Sequence, residues 1–263
     1  MPRAAREEGG AASAAPLPLP TPPVAGAERK RVDPRYEPAL EAVREEMDAD
    51  DNVVALLFYG SAQRGEAKPG SDLDLCALTE GSERWTRGGF THGVEVQLQY
   101  GPVRVWRGMV ELSHPVITSA FATGELMFDK TGEATELKKR AEEVFRAGPR
   151  PPAPLAVARQ RYSLTNMVRD LEDLPEQGAE GGILGGVAVM EAMKVWCSAH
   201  RVWADRKPQV MMRHVRERDA SLAARIDFFC ASVTPANAIA VADTVLEMLG
   251  GRLYELSTPP EAV

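Results

Sequence analysis

The chain has 263 residues, 44% of them hydrophobic and 26% charged, an ordinary globular usage that argues against wholesale disorder, collagen and coiled-coil arrays and leaves room for one large domain or two small ones. Its 31 Lys and Arg stand against 38 Asp and Glu, a net charge of −7, which is the wrong sign for gripping nucleic-acid phosphates along an extended surface. The cysteines, Cys76, Cys197 and Cys230, lie far apart with no CxxC pattern, so neither a disulfide framework nor a structural zinc site is indicated and a cytoplasmic location is the expectation.

Residues 1–30 alternate proline with small residues and offer no continuous apolar stretch of the kind a secretory signal needs, so they read as a disordered tail. In residues 34–48, Leu40, Val43 and Met47 recur at i, i+3 and i+7, the spacing of an amphipathic helix. Val53–Tyr59 is an unbroken apolar run of strand length, predicting a strand covered on both faces and ended by Gly60. Residues 72–78 predict a second strand in which Asp72, Asp74 and Cys76 share one face, and a Gly-rich, charged hairpin region follows at 80–93. In residues 94–100, Val94, Val96, Leu98 and Tyr100 alternate with Glu95, Gln97 and Gln99, which predicts a third strand with one polar face.

Beyond these strands the pattern turns helical. Helices are predicted at 113–124 and 133–147, each ended by a glycine, and the Pro-rich break at 148–154 is the expected domain boundary. Three further helices are predicted at 155–174, 183–204 and 235–249, with a shorter one across 209–230, so the second half reads as a helical bundle. No membrane span is expected, because the most apolar stretch, 183–199, carries Glu191 and Lys194 near its middle. The resulting division is a tail at 1–30, a mixed α+β domain at 31–150 and a helical domain at 151–263.

The chemistry concentrates between Tyr59 and Leu75. A buried strand ends in Gly60-Ser61 at the start of a short helix, and ten residues separate Ser61 from the Asp72-x-Asp74 pair that opens the next strand. Gly60 lets a phosphate approach the backbone, and the amides and hydroxyl of Ser61 can donate to it, a role compatible with ordinary helix capping. Two carboxylates at i and i+2 of a strand project side by side, which is costly alone and suits Mg2+ bridging polyphosphate oxygens. Glu95 is a solvated residue by default; if its strand lies beside the Asp-x-Asp strand, it becomes a third acid for a two-metal site. Arg64 touches phosphate or pairs with Glu66.

Gly60-Ser61, Arg64-Gly65-Glu66, Ser71-Asp72-Leu73-Asp74-Leu75 and Glu95 between Val94 and Val96 resemble the signature of the polymerase-beta-type nucleotidyltransferase superfamily: a hydrophobic strand, Gly-Ser, a spacer and Asp-x-Asp. The resemblance covers roughly residues 53–100. The arrangement of such a core before a helical domain further resembles the aminoglycoside (kanamycin-type) nucleotidyltransferases, which implies a small mixed sheet with flanking helices followed by an all-α domain. The resemblance implies that Gly60 and Ser61 hold the β and γ phosphates of a nucleoside triphosphate (NTP), that Asp72 and Asp74 bind magnesium, two ions in all, and that Glu95 ligates the second ion or activates the acceptor. The implied reaction moves a nucleoside monophosphate to a hydroxyl of a small acceptor, aminoglycoside-like compounds among them, and releases pyrophosphate.

In the helical half, Glu191, Lys194, Ser198, Arg201 and Asp205 form one polar stripe, and Arg159, Tyr162, Asn166, Arg169 and Asp173 form another. Each is a solvated face with local ion pairs, or it faces a cleft in which Lys194 or Arg201 reaches triphosphate. The histidines show no metal-binding spacing, and the tryptophans read as packing residues. Two rival readings stay open: nucleotidylation of a protein or tRNA partner, and a non-catalytic nucleotide-binding or antitoxin-like regulator. A homodimer that completes the cleft also stays open.

Overall fold

The computed structural model describes residues 32–203 and 207–257, so the predicted tail and Asp205 of the polar stripe lie outside the described residues. The described chain divides into two compact units that meet in sequence between Arg150 and Pro151.

The first unit is built on a five-stranded sheet of order β3-β4-β2-β1-β5. After a turn of 3-10 helix at Pro34–Tyr36, helix α1 (Glu37–Ala49) leads into β1 (Val53–Tyr59), every residue of which is buried. A short helix α2 (Gly60–Gln63) follows, then β2 (Leu73–Thr79), β3 (Trp85–Thr91) and β4 (Val94–Pro102). Helices α3 (Val103–Glu111) and α4 (Pro115–Thr123), strand β5 (Glu125–Asp129) and helix α5 (Glu133–Ala147) complete the unit. β1 runs antiparallel to β2 and β5, whereas β2 and β4 are parallel. The parallel pair exists because β3 takes the outer edge, so the chain returns along β4 in the direction of β2.

Alternation along the strands gives the sheet two apolar faces. α1 covers one, setting Ala39, Val43 and Met47 against Leu56, Phe58, Leu73, Leu75, Val96 and Leu98. α3, α4 and α5 cover the other with Trp106, Val110, Phe121 and Leu137 against Ala55, Leu57, Cys76 and Leu78. Tyr59 and Cys76 lie on this second face, and so, by register, does Asp74, the cross-strand partner of Tyr59.

Three elements of this unit differ from the sequence expectation. The 80–93 region is not merely a hairpin connection but contains β3, whose Gly88-Gly89 pair and exposed residues suit a solvated edge strand and hide the usual strand signal. β5 has only five residues, none fully buried, and carries no period to read. α3 escaped notice although Val103, Trp106 and Val110 form its buried stripe, because Gly101-Pro102 and Gly108 read as breakers.

The second unit is all helical: α6 (Pro154–Glu172), α7 (Ala179–Ala199), α8 (Pro208–Arg218), α9 (Ala220–Ala231) and α10 (Pro235–Met248). The single helix expected across 209–230 is two. Asp219 breaks it, its Oδ1 accepting from the Leu222 amide to cap α9 (2.9 Å) and its Oδ2 accepting from Trp196 Nε1 (3.2 Å). α7 is the central helix; a Cβ on Gly185 would meet Ala238 and Phe229 at 3.2 Å, so glycine there lets α9 and α10 pack closely. Among the described residues α7 is the one helix long and apolar enough to cross a membrane, and nine of its residues are buried within this unit. Arg252 joins α6 to α10, gripping Asp243 at 2.7 and 2.8 Å and Glu172 at 2.6 Å.

Candidate nucleotide and metal site

The site lies where β1 ends. Tyr59 is extended, and the chain then turns through Gly60, whose φ of +86° is a left-handed value that L side chains rarely adopt. A second constraint falls on the same residue. A Cβ at position 60 would lie 2.0 Å from Asp74 Oδ2 and 2.8 Å from its Cγ, so the Asp74 carboxyl occupies the space that only glycine leaves open. Ala62 is buried beneath the turn, and the loop closes through backbone bonds from Arg64 to Gly60, Gly65 to Ala62 and Glu66 to Ser61.

β2 delivers the acids. Register pairs Asp74 with Tyr59 on one side and with Gln97 on the other, so it sits in the interior of the sheet with a partly exposed side chain. Asp72 immediately precedes β2, two residues away and therefore on the same side. Glu95 directly precedes Val96, the partner of Leu73, so alternation puts it on the face of Asp74 and Gln97, beside the start of β2. β4 does adjoin the Asp-x-Asp strand. Glu95 is exposed, lies opposite Phe90 of β3, and enters no ion pair among the described residues.

Among the described residues no three His, Cys, Asp or Glu side chains are gathered as a metal-holding group. Asp72 and Asp74 nevertheless fit magnesium's habits, since Mg2+ commonly takes one or two carboxylates and completes its shell with substrate phosphates and water. The protein supplies a pair of donors on one face, with Glu95 on that same face beside the start of β2.

The floor of this face is polar in a way the sequence reading missed. The Tyr59 hydroxyl accepts from Gln99 Nε2 at 3.0 Å, and Gln99 Oε1 accepts in turn from Arg84 at 3.5 Å. Burial pushes the Tyr59 phenol well above its ordinary pKa, and Asp74, Cys76 and Asp72 push it further, so it stays a protonated, neutral group beneath the two carboxylates. Its signal in the sequence was a tyrosine closing an apolar strand directly before Gly60.

The remaining expected contacts are placed as follows. Arg64 Nε bonds Glu66 Oε2 at 3.0 Å, the pairing that competes with a phosphate role. Lys194 lies in the second unit on α7, exposed and paired with Glu191 at 3.0 Å. Trp106 and Trp196 are buried, each with its indole N–H bonded, whereas Trp85 is 49% exposed and stacks on Tyr100.

Residues 40–118, from α1 into α4, match the family model described as a nucleotidyltransferase domain. Those residues are similar to a nucleotidyltransferase domain. That match takes in Gly60, Ser61, Asp72, Asp74 and Glu95. The chain is also similar to the solved structure of a nucleotidyltransferase-like protein from Exiguobacterium sibiricum 255-15, at 16% identity and a TM-score of 0.48, over 81% of this chain and 74% of that one. No curated protein matches the chain.

Proposed function

We propose that the protein is a magnesium-dependent enzyme that transfers a nucleoside monophosphate from an NTP to a hydroxyl of a small acceptor. The observation that carries this reading is the seating of the Asp74 carboxyl against Gly60, which makes the turn after β1 and the Asp-x-Asp strand one assembly. Amides of the Gly60-Ser61 turn and the Ser61 hydroxyl donate to the β and γ phosphates, where neutral donors can hold charge without repelling the acids nearby. Asp72 and Asp74 would hold Mg2+, which supplies neutralisation of the charge growing on the leaving pyrophosphate. The acceptor oxygen attacks the α phosphorus, the bond from that phosphorus to the bridging oxygen breaks, and pyrophosphate departs with the electron pair. The hydroxyl proton passes to Glu95, whose exposed carboxylate is spent on no ion pair among the described residues. Most of the acceleration comes from holding nucleophile, phosphorus and leaving group in line.

The testing experiment is pyrophosphate release from each of the four NTPs with Mg2+, against a panel of aminoglycosides and other polyols, with the Asp72→Asn, Asp74→Asn double variant as blank. Acceptor-dependent release is the expected result. NTP binding without release from any acceptor would favour a regulator, and label appearing only in added protein or RNA would favour a macromolecular acceptor. Glu95→Gln should lower turnover about a hundredfold, the usual weight of a general base. Wild-type turnover in that variant would remove Glu95 from the site.

A further inference from the structure

Asp72 lies outside the hydrogen-bonded span of β2, so its place depends on the turn that precedes it. That turn, Lys68 to Ser71, is braced twice from within. The Ser71 amide donates to the Lys68 carbonyl at 2.9 Å, and the Lys68 amide donates to Ser71 Oγ at 2.9 Å. It is braced again by two residues more than thirty positions earlier in the chain. The Tyr36 hydroxyl donates to the Ser71 carbonyl at 3.1 Å. The Arg35 guanidinium donates to the Lys68 carbonyl at 2.5 Å and the Pro69 carbonyl at 3.3 Å, and also to the Tyr36 hydroxyl oxygen. Asp33 fixes Arg35 in turn, accepting from its amide at 3.0 Å and pairing with its Nε at 3.4 Å.

The order of these bonds matters. Tyr36 is 1% exposed, its ring buried among the residues that α1 packs on the sheet, so its hydroxyl has a fixed position. That oxygen receives a hydrogen from Arg35 and gives its own to Ser71. The carbonyl it holds belongs to the peptide joining Ser71 to Asp72, and because a peptide is planar, fixing its oxygen fixes the Asp72 nitrogen and Cα. Asp74 needs no such brace, being paired by β1 and β4 on both sides.

We propose that Tyr36 and Arg35 are positioning residues for Asp72, a clamp that sets the first carboxylate in place beside the second for the metal-bound nucleotide. This rests on the magnesium-dependent reading above. They act on Asp72 through the Ser71–Asp72 peptide. Their loss should therefore weaken metal capture more than it weakens the fold.

The test uses the full-length chain and Mn2+ as a spectroscopic probe, titrated by electron paramagnetic resonance with a non-hydrolysable ATP analogue present and no acceptor. Tyr36→Phe removes one hydroxyl and keeps the ring, and Arg35→Ala removes an exposed side chain, so both should fold. Each is expected to raise the apparent Mn2+ dissociation constant about fivefold, the size of one net hydrogen bond, with hydrogen exchange at the Asp72 and Leu73 amides accelerated. Lys130→Ala is the structural control. It cuts the ties of Lys130 to the Asp48 and Asp50 carbonyls at the other end of α1, and it should lower Tm while leaving the Mn2+ constant unchanged. Tyr36→Phe and Arg35→Ala variants that bind Mn2+ as the wild type does would overturn the clamp and leave the functional reading standing. A wild-type chain that captures no Mn2+ would overturn that reading and the clamp with it.

Discussion

Asp74→Asn is expected to cut nucleotidyl transfer about a thousandfold, in the range found when one preorganised electrostatic group is removed from a transition state, while Tm moves by no more than a few degrees. The substitution is nearly isosteric, so the amide fits where the carboxyl now rests against Gly60. It removes the negative charge that, with Asp72, gives this face its affinity for a divalent cation. Asn is a neutral donor and acceptor and a far weaker partner for Mg2+ than a carboxylate. Steady-state rates over a magnesium titration separate the causes. Activity restored by excess Mg2+ would point to weakened capture alone, and activity lost at every concentration would show that the carboxylate also shapes the transition state. Turnover within about threefold of wild type at ordinary magnesium would take Asp74 out of the mechanism, because a ligand of the reacting phosphates cannot be worth so little.

The elements readable in the sequence are those whose residues report on their own burial. β1 is a solid apolar run because both faces are covered, and β4 alternates because one face carries Glu95, Gln97 and Gln99. α5 shows its apolar face in Ala134, Leu137 and Ala141 and ends at Gly148. β3 was lost because an edge strand with two glycines and an exposed Phe90 resembles a loop in composition. The same divide runs through the candidate site. Gly60, Ser61, Asp72 and Asp74 lie close in sequence, so their spacing alone raises the possibility of phosphate and metal chemistry. The contact between Asp74 and Gly60, the register of Asp74 with Gln97, the Gln99 to Tyr59 bond and the hold of Tyr36 on Ser71 all join distant segments. No local period encodes those pairings; they follow from strand order and from where α1 happens to pack.

Gly60→Ala offers a way to measure one of those non-local contacts directly. Two penalties fall on the new methyl group. The backbone at φ +86° costs an L residue about 1 to 2 kcal/mol, and the Cβ lands 2.0 Å from Asp74 Oδ2 and 3.0 Å from Asp74 Cβ. The carboxyl can swing aside, but its Cβ is fixed by β2, so something in the turn or strand must shift, at about 1 to 3 kcal/mol for an overpacked contact. The sum predicts a loss of about 3 kcal/mol in unfolding free energy and near-complete loss of transfer. Activity alone would not identify the cause, so the decisive measurement is a double-mutant cycle in denaturant. In an Asp74→Ala background the carboxyl is gone but the Cβ 3.0 Å away remains, so the backbone penalty and a smaller contact penalty should persist, leaving a cost for Gly60→Ala of about 2 kcal/mol. The difference between the two backgrounds is the clash energy between a methyl group at position 60 and the Asp74 carboxyl. An equal cost in both would mean that glycine is not required to make room for the carboxyl, and that Asp74 takes its position from strand pairing rather than from the turn.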